Sequence, residues 1–424
     1  MDVIISKKNS LKGTIEIPAD KSITHRAFMF SALTKGKCKI SNYSKGADCM
    51  STLKIIQQLG CHVDFINEKE LIIDATNALK APNEPLNCGN SGTTTRLMSG
   101  ILAGQKFDSV LFGDKSLSKR PMKRVIAPLE LMGAKFDHKN YTLPMTIKGG
   151  NLTGISYNSP LASAQVKSCI LLAGLNAEGT TSFTEPYKSR NHTELMFEYM
   201  GADINVEKNT VKVKKSQLNP VDIEVCGDIS SAAFFMAAAL IVPNSDIIIK
   251  NVGINETRSG IIDVFKAMNA NIELLNQRVV SNEKIADIHV KYSKLKATNI
   301  EGAIIPRLID EIPVIAVVAT QATGTTVIKN AEDLRSKEAD RITAVATELK
   351  KLGADITETQ DGFIINGETK LNGNCEIECS HDHRIAMSAY VAGLICENSI
   401  KIKEFEWVDI SFPEFLDLMN LLLL

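Results

Sequence analysis

The chain has 424 residues, and its 48 lysines and arginines against 49 aspartates and glutamates give a net charge of −1. A hydrophobic share of 44% is enough to bury a large core, which excludes general disorder. The balanced charge excludes a broad basic surface for nucleic acids or anionic membranes, so any basic site must be local. At roughly 150 residues per domain, the length predicts two or three domains.

Residues 1–10 lack the apolar run of a secretory signal, and the longest apolar stretch, residues 231–243, is shorter than the roughly 20 residues of a membrane span. Nine cysteines occur without a CxxC pair, which is typical of reduced, mostly buried thiols. Cys375 and Cys379 lack a second pair at zinc-ligand spacing. We therefore expect a cytoplasmic protein that binds no metal.

In chain order, the first predicted elements are two strands, VIISKK and LKGTIEIP, with no helix before them. A helix of small and apolar residues with a polar first turn follows, and this type of helix occurs six times. The six copies begin KSITHRAFMFSAL, GNSGTTTRLMSGIL, SAQVKSCILLAGL, GDISSAAFFMAAAL, IDEIPVIAVVATQA and HDHRIAMSAYVAGL. After each copy the pattern predicts a short turn and a strand.

A second type of helix alternates with the first, ends in a glycine or asparagine, and is followed by the alternating apolar residues of a strand. The turn residues are Gly60, Gly133, Gly201, Asn269 and Gly353. The repeated unit is therefore helix, strand, helix, strand and a further hairpin strand, and it is about 70 residues long.

Six such units fill the chain, which predicts an α/β (α+β) fold and excludes a simple Rossmann fold or barrel. The last unit lacks its final strands, because the chain ends in the helix FPEFLDLMNLLLL, and we expect the N-terminal strands to complete it. Three units would then form each of two pseudo-symmetric globules. The predicted ranges are residues 1–19 plus 229–424 for a discontinuous globule and residues 20–228 for the second, with the active site in the cleft between them.

The polar helix starts carry the functional prediction. Ser, Thr, Asn and Asp at such positions are explained as N-caps. The cations Lys21, Arg26, Lys167 and Arg384 are not, because positive charge is unfavourable at this end of a helix. Bound anions would compensate for them, so we expect an anion-binding site.

Other basic residues occur near the ends of the repeated units. They lie in SLSKRPMKRV, at Arg190 in SRNHTE, at Arg258 in NETRSG, and in RSKEADRIT. In the last segment Lys337 and Arg341 are spaced i,i+4, which predicts that they share one helix face.

Eight short motifs together resemble the 5-enolpyruvylshikimate-3-phosphate synthases. They are DKSITHR, GNSGTTTR, KRPMKRV, SAQVKS, SRNHTE, the ID of PRLIDEIP, RSKEADR and SHDHR, and the resemblance as a whole runs from Pro18 to Pro413. GDKS, SAQVK, RNHTE and NETR resemble the second class of this family. The resemblance implies two globules, each of three βαβαββ units, that close around their substrates.

The resemblance also implies an activity, the transfer of the enolpyruvyl group of phosphoenolpyruvate to the 5-hydroxyl of shikimate 3-phosphate with release of phosphate. This is a step of the shikimate pathway to chorismate and the aromatic amino acids, and no metal or organic cofactor is implied. Both substrates carry a phosphate and a carboxylate, which arginine binds well.

The resemblance assigns residues of this sequence to each substrate. Those for shikimate 3-phosphate are Lys21, Ser22, Arg26, Ser163, Ala164, Gln165, Arg190, Asp310 and Lys337. Those for phosphoenolpyruvate are Lys21, Gly92, Arg120, Gln165, Arg341 and Arg384. At Gly92 the missing side chain lets the backbone approach a ligand closely.

The implied reaction is an addition followed by an elimination, so an acid and a base must flank the tetrahedral centre. We assign Asp310 as the base at the hydroxyl, and Glu338, with Lys21, as the proton donor and later acceptor. Which group performs which step stays open at this stage, because their titrations are coupled.

Two residues depart from the more familiar first class of the family. Ala164 stands where many members have a second serine, and Ile410 replaces a phosphate-binding lysine that the second class also lacks. Two other functions stay open. One is the sister enzyme that uses UDP-N-acetylglucosamine, whose loop usually carries a cysteine that LSKRPMKR lacks; the other is a non-catalytic anion-binding protein on the same fold. We expect a monomer with small anionic substrates and no nucleic-acid or membrane partner.

Overall fold

Residues 1–423 are described by a computed structural model, in which the chain forms two units. The inserted unit consists of Ala19–Val225 together with Val280–Glu283. The split unit consists of Met1–Pro18, Cys226–Val279 and the residues from Lys284 onward. The chain therefore leaves the split unit after Pro18, returns to it at Cys226, and contributes Val280–Glu283 to the inserted unit before it continues in the split unit.

Within residues 1–423 there are twelve α-helices, which alternate between the two types that the sequence predicts. They are α1 Lys21–Ser31, α2 Ala47–Gln58, α3 Gly92–Ala103, α4 Lys123–Leu131, α5 Ala164–Gly174, α6 His192–Tyr199, α7 Ile229–Ile241, α8 Gly260–Ala267, α9 Ile312–Ala319, α10 Arg341–Lys351, α11 His383–Gly393 and α12 Phe415–Leu422.

The strands are short and lie between these helices. They are β1 Val3–Ile5, β2 Lys12–Glu16, β3 Lys37–Ser41, β4 His62–Asn67, β5 Glu70–Asp74, β6 Leu86–Asn87, β7 Ser109–Phe112, β8 Lys135–Lys139, β9 Thr142–Lys148, β10 Ser156–Asn158, β11 Thr180–Thr184, β12 Ile204–Glu207, β13 Thr210–Lys214, β14 Ile223–Glu224, β15 Asp246–Gly253, β16 Asn271–Val280, β17 Glu283–Lys291, β18 Asn299–Ile300, β19 Gly324–Ile328, β20 Asp355–Thr359, β21 Gly362–Gly367, β22 Glu376–Glu378 and β23 Ile400–Lys403.

These strands form one small sheet for each repeated unit. The inserted unit has the sheets β14-β3-β5-β4, β6-β7-β9-β8 and β10-β11-β13-β12, and the split unit has β2-β15-β17-β16, β18-β19-β21-β20 and β22-β23-β1. In each sheet the first two strands are parallel, as a helical crossover requires, and the third strand pairs antiparallel. The predicted fold of two globules with three βαβαββ units each is confirmed.

Strands from distant parts of the chain complete three of the six sheets. Val3–Ile5 pairs antiparallel with β23, so the N-terminus completes the sixth unit as predicted. Lys12–Glu16 instead joins the fourth unit, parallel to β15, and Ile223–Glu224 closes the first unit against β3. The N-terminal segment therefore serves two repeated units, where the sequence analysis expected one.

The two helix types pack as their sequences indicate. Every residue of α7 and α9 is buried, as is expected for helices that are apolar all round. In the inserted unit α3 packs directly on α5, and a Cβ at Gly100 would lie 2.1 Å from the carbonyl oxygen of Cys169, so only glycine permits this approach. The predicted turn residues after the second helix type all have positive φ, from 67° at Asn269 to 100° at Gly60.

Candidate functional site

The start of α1 holds the first predicted ligands. The Asp20 side chain accepts a hydrogen bond from the backbone N–H of Ile23 at 2.8 Å and so begins the helix at Lys21. Lys21 and Ser22 therefore lie in the first turn, half-buried. The Lys21 Nζ forms an ion pair with the Asp48 carboxylate on α2, which provides one compensation for a cation at this end of the helix.

Arg26, one turn later, is buried. Its Nε donates to Thr193 Oγ1 at 2.8 Å, its Nη1 to the Ser22 carbonyl at 2.9 Å, and its Nη2 to Ser168 Oγ at 2.8 Å. All three acceptors are neutral. Burial lowers the pKa of Arg26 to about 10, because a buried guanidinium without a hydrogen-bonded carboxylate loses hydration that is not replaced.

The starts of α3 and α5 come together in the same unit. Ser163 caps α5 by accepting from the Val166 N–H at 3.5 Å, which puts Ala164 and Gln165 in the first turn. The Gln165 Nε2 donates to Thr93 Oγ1 at 3.0 Å, and its Oε1 accepts from Arg96. The predictions did not include Arg96, although its place in GNSGTTTR, four residues after Gly92, would have put it one helical turn from that glycine.

Gly92 and Arg120 are also close together. A Cβ at Gly92 would lie 3.0 Å from Arg96 Nη1 and 3.5 Å from Arg120 Nη1, so the glycine leaves room for two guanidinium groups. The Arg120 Nη2 donates to Asn90 Oδ1 at 2.9 Å. Arg190 is half-buried in the segment that leads into α6, near enough to Arg26 to lower its pKa.

The interpretation of Lys167 as an anion-binding residue is wrong. Its side chain is buried, with Nζ at 2.8 Å from both Glu185 Oε1 and Glu194 Oε1 and at 3.2 Å from the Ser189 carbonyl. Two carboxylates within the protein thus compensate this cation at the start of α5, and no ligand is needed for it.

In the split unit, Asp310 lies just before α9 with its side chain largely shielded from solvent. Its Oδ1 is 3.6 Å from Lys337 Nζ and 3.4 Å from Arg341 Nη1. The structure therefore brings three predicted residues, Asp310, Lys337 and Arg341, to one point.

Arg341 is buried and connects several carboxylates. Its Nη2 is 2.6 Å from Glu338 Oε2, and its Nε is 2.7 Å from Asp382 Oδ2. Burial opposes the charge on Arg341, but Asp382, Glu338 and Asp310 outweigh that effect and raise its pKa above the ordinary value. The guanidinium thus links the two carboxylates that the sequence analysis assigns to acid and base roles, Asp310 and Glu338.

The prediction that Lys337 and Arg341 share a helix face is wrong. The helix α10 begins at Arg341, because Asp340 caps it by accepting from the Thr343 N–H at 3.1 Å. Lys337 and Glu338 lie in the bend between the short 3-10 helix Glu332–Ser336 and α10. From this bend the Lys337 side chain still reaches Asp310, and the Glu338 side chain still reaches Arg341.

Arg384 is the second residue of α11, the last helix of the first type, which Asp382 caps. Its Nη1 donates to the Asp310 carbonyl at 2.9 Å and lies 3.6 Å from Glu311 Oε1. Glu311, which no prediction included as a ligand, accepts from Arg258 Nη1 at 2.9 Å through both of its carboxylate oxygens. Arg258 is buried in this pair.

The two groups of side chains differ in what they can do. In the inserted unit, Arg26, Gln165 and Arg120 carry side-chain N–H groups at or near helix starts, and groups of this kind can donate to an anion. In the split unit, Asp310 and Glu338 are carboxylates held beside cations, which suits proton transfer next to a bound anion. No cluster of three His, Cys, Asp or Glu side chains arranged as metal ligands is found in residues 1–423. None of the helices described is both long and apolar enough to cross a membrane.

Comparisons with known proteins agree with this description. The family model "EPSP synthase (3-phosphoshikimate 1-carboxyvinyltransferase)" matches residues 5–419. A 3-phosphoshikimate 1-carboxyvinyltransferase of Thermodesulfovibrio yellowstonii is 51% identical over 429 residues, covering 100% of each chain. One of Thermoanaerobacter sp. is 50% identical over 424 residues, again covering 100% of each chain.

Two solved structures extend the comparison to the fold. The EPSP synthase from Acinetobacter baumannii has a TM-score of 0.90 at 44% sequence identity, covering 100% of this chain and 98% of that one. The enolpyruvyl transferase NikO from Streptomyces tendae has a TM-score of 0.82 at 16% identity, covering 99% and 97%, and at that identity it shows the fold alone.

Proposed function

This chain belongs to the EPSP synthase family, the 3-phosphoshikimate 1-carboxyvinyltransferases, and we propose that it transfers the enolpyruvyl group of phosphoenolpyruvate to the 5-hydroxyl of shikimate 3-phosphate, releasing phosphate. The observation that carries this proposal is the arrangement around Arg341, which links the carboxylates of Asp310 and Glu338. An addition–elimination needs two proton-transfer groups beside an anion-binding cation, and these three side chains offer them.

The inserted unit would hold shikimate 3-phosphate. Lys21, Ser22 and Arg26 on α1 and the first turn of α5, with Ser163, Ala164 and Gln165, would donate to its phosphate and carboxylate, with Arg190 beside them. A guanidinium is suited to carboxylate and phosphate because it donates two parallel hydrogen bonds. The buried Arg26, whose hydrogen-bond acceptors are all neutral, supports this role because its charge is left for a ligand.

Phosphoenolpyruvate would bind to residues from both units. In the inserted unit they are Lys21, Gly92, Arg120 and Gln165, and in the split unit they are Arg341 and Arg384. The closeness of a Gly92 Cβ to Arg120 supports the first set, because any side chain there would take space from the ligand. Both substrates are anions, so this set of cations also suits the selection of small molecules with two anionic groups.

The proposed chemistry uses the carboxylates of the split unit. Asp310, with Lys337 beside it, takes the proton of the 5-hydroxyl of shikimate 3-phosphate while the oxygen of that hydroxyl adds to C2 of phosphoenolpyruvate. Glu338, with Lys21, supplies the proton that turns the methylene carbon into a methyl group. The tetrahedral intermediate then loses phosphate, and the methyl group returns a proton to leave the enol ether.

We further propose that the two units close on the bound substrates. Empty, each unit presents cations, and anions that bind to both would favour a closed arrangement. Small-angle scattering should show a smaller radius of gyration when both substrates are present than when neither is. An unchanged radius of gyration would contradict closure but leave the chemistry untouched.

The activity is tested by phosphate release from phosphoenolpyruvate with shikimate 3-phosphate, and separately with UDP-N-acetylglucosamine. We expect phosphate release with shikimate 3-phosphate and none with UDP-N-acetylglucosamine. The second activity is not favoured, because the relatives are named for the shikimate reaction. No release with shikimate 3-phosphate would overturn the proposal, and substrate binding without release would support a non-catalytic anion-binding protein.

We also propose that the enzyme is a cytoplasmic monomer. Light scattering measures the molar mass in solution and so tests the oligomeric state.

A further inference from the structure

We propose that Ser168 and Thr193 are positioning residues for shikimate 3-phosphate, because together they orient the buried guanidinium of Arg26 with neutral oxygens. This inference rests on the proposed function. Neither residue is among the predicted ligands. Both side chains are buried, so we infer that they act through Arg26 and not by direct contact with the substrate.

The hydrogen bonds around Arg26 have only one consistent direction. A guanidinium has no acceptor, so Thr193 Oγ1 and Ser168 Oγ must both accept from it, each at 2.8 Å. Ser168 Oγ lies 2.6 Å from the Ala164 carbonyl, which can only accept, so the hydroxyl hydrogen of Ser168 points there. Across the 2.6 Å between the two hydroxyl oxygens, Thr193 must therefore donate to Ser168.

This chain of hydrogen bonds connects three helices. Arg26 lies on α1, Thr193 on α6, and Ser168 with Ala164 on α5. Those are the helices whose first turns, or preceding segment, carry the residues proposed for shikimate 3-phosphate. The two hydroxyls thus fix the guanidinium relative to the first turn of α5, through the Ala164 carbonyl at its start.

The acceptors also matter because they are neutral. Only three of the five N–H bonds of Arg26 have an acceptor in residues 1–423, and none of those acceptors is a carboxylate. A buried guanidinium in such surroundings is stabilised by binding an anion, because the anion replaces the lost hydration. The nearby Lys167 shows the alternative, since its two glutamates leave it no need for a ligand.

The test compares variants that remove or keep each hydroxyl. Thr193→Val has nearly the same shape without a hydroxyl, Thr193→Ser keeps the hydroxyl, and Ser168→Ala removes the other one. Thr181→Val is the matched control, because Thr181 is fully buried in the same unit and its Oγ1 makes no hydrogen bond in the described residues. Steady-state phosphate release gives kcat and the KM for each substrate, and calorimetry gives the Kd for shikimate 3-phosphate.

We expect Thr193→Val and Ser168→Ala to raise the KM and Kd for shikimate 3-phosphate by at least ~5-fold, as the loss of a hydrogen bond to a charged group predicts. Their kcat and their KM for phosphoenolpyruvate should stay within about 2-fold of wild type, as expected when only substrate binding is affected. Thr193→Ser and Thr181→Val should behave like wild type in all of these measurements.

A purely structural role would lower the melting temperature of these variants without changing the KM for shikimate 3-phosphate, and that result would overturn the inference. If Thr193→Val lacks a cooperative unfolding transition, Ser168→Ala decides, because alanine is favourable in the middle of α5. A wild-type protein that releases no phosphate would overturn the proposed function and this inference together, whereas an active wild type with unchanged KM in the variants would overturn the inference alone.

Discussion

Two buried arginines, one in each unit, are held in opposite ways. Arg341 in the split unit is surrounded by Asp382, Glu338 and Asp310, and these carboxylates raise its pKa. Arg26 in the inserted unit donates to two hydroxyls and a carbonyl, and burial lowers its pKa to about 10. The same side chain is therefore paired with carboxylates in one unit and hydrogen-bonded to neutral oxygens in the other.

The difference separates two tasks. In the proposed mechanism, Arg341 holds the carboxylates of Asp310 and Glu338 in place for proton transfer and also binds phosphoenolpyruvate. A guanidinium on neutral acceptors keeps its charge available for a ligand. The comparison predicts that substitutions around Arg341 lower the stability of the protein and its kcat. Substitutions around Arg26 should instead weaken the binding of shikimate 3-phosphate.

The largest expected effect is on stability. Asp382→Asn should lower the free energy of unfolding by roughly 3–5 kcal/mol, because it removes one carboxylate from a buried ion pair while asparagine can still cap α11. Urea unfolding measures this change. Asp340→Asn is the matched control, since Asp340 also caps a helix and pairs with Arg335, but both side chains are part-exposed. The control should lose at most about 1 kcal/mol, and equal losses in the two variants would contradict the comparison.

The next effect is on chemistry. Asp310→Ala should reduce kcat by at least ~10²-fold while the Kd for shikimate 3-phosphate is largely kept, because a positioned base contributes to the transition state. Single-turnover phosphate release and calorimetry measure the two quantities. Asp417→Ala, at an exposed position on α12, should leave both unchanged. Wild-type turnover in Asp310→Ala would remove Asp310 from the proposed mechanism.

Arg26 should show the reverse pattern. Arg26→Gln should raise the KM for shikimate 3-phosphate roughly 10- to 100-fold, the value of a charge-assisted hydrogen bond, with a smaller change in kcat. Steady-state kinetics provides the test, with Lys212→Gln on the exposed side of β13 as the control. A fall in kcat at unchanged KM would place Arg26 with the split-unit residues and break the comparison.

The smallest effect concerns pH. His25 is buried on α1 with Nδ1 2.7 Å from Thr52 Oγ1, and burial, with Lys21 and Arg26 nearby, lowers its pKa well below 6.5. Above pH 6.5 His25 is neutral in both the folded and the unfolded protein. Below pH 6.5 His25 becomes protonated in the unfolded chain but stays neutral in the folded protein. Stability should therefore fall with acidification by up to about 1.4 kcal/mol per pH unit, starting near pH 6.5. Urea midpoints between pH 7.5 and pH 5 should fall less in His25→Gln, and equal slopes would contradict the assignment.

The fold could be predicted because its signals are local and repeated. Gly60, Gly133, Gly201, Asn269 and Gly353 each need a positive φ, which few other residues tolerate, so they mark five helix ends. The apolar α7 and α9 could only be buried helices. The functional prediction came from helix starts, where cations conflict with the helix dipole.

The parts that the sequence did not predict depend on partners that are distant in the chain. Lys167 and Arg26 both lie near helix starts, but Glu185 and Glu194 pair with Lys167, whereas Arg26 donates to two hydroxyls and a carbonyl. No local pattern distinguishes these outcomes. The start of α10 differs from the prediction for another reason. Lys337 and Arg341 have helical spacing, but Asp340 between them caps the helix, so Lys337 lies outside α10.

The three sheets that are completed by strands from distant parts of the chain have a consequence for synthesis. The inserted unit closes its first sheet with β14 at Ile223–Glu224, so nearly all of its own chain is available once these residues have left the ribosome. By contrast, β2 must wait for β15, and β1 must wait for β23 at Ile400–Lys403. β1 and β2 are thus made long before the strands with which they pair, so we expect the sheets of the split unit to be completed after those of the inserted unit.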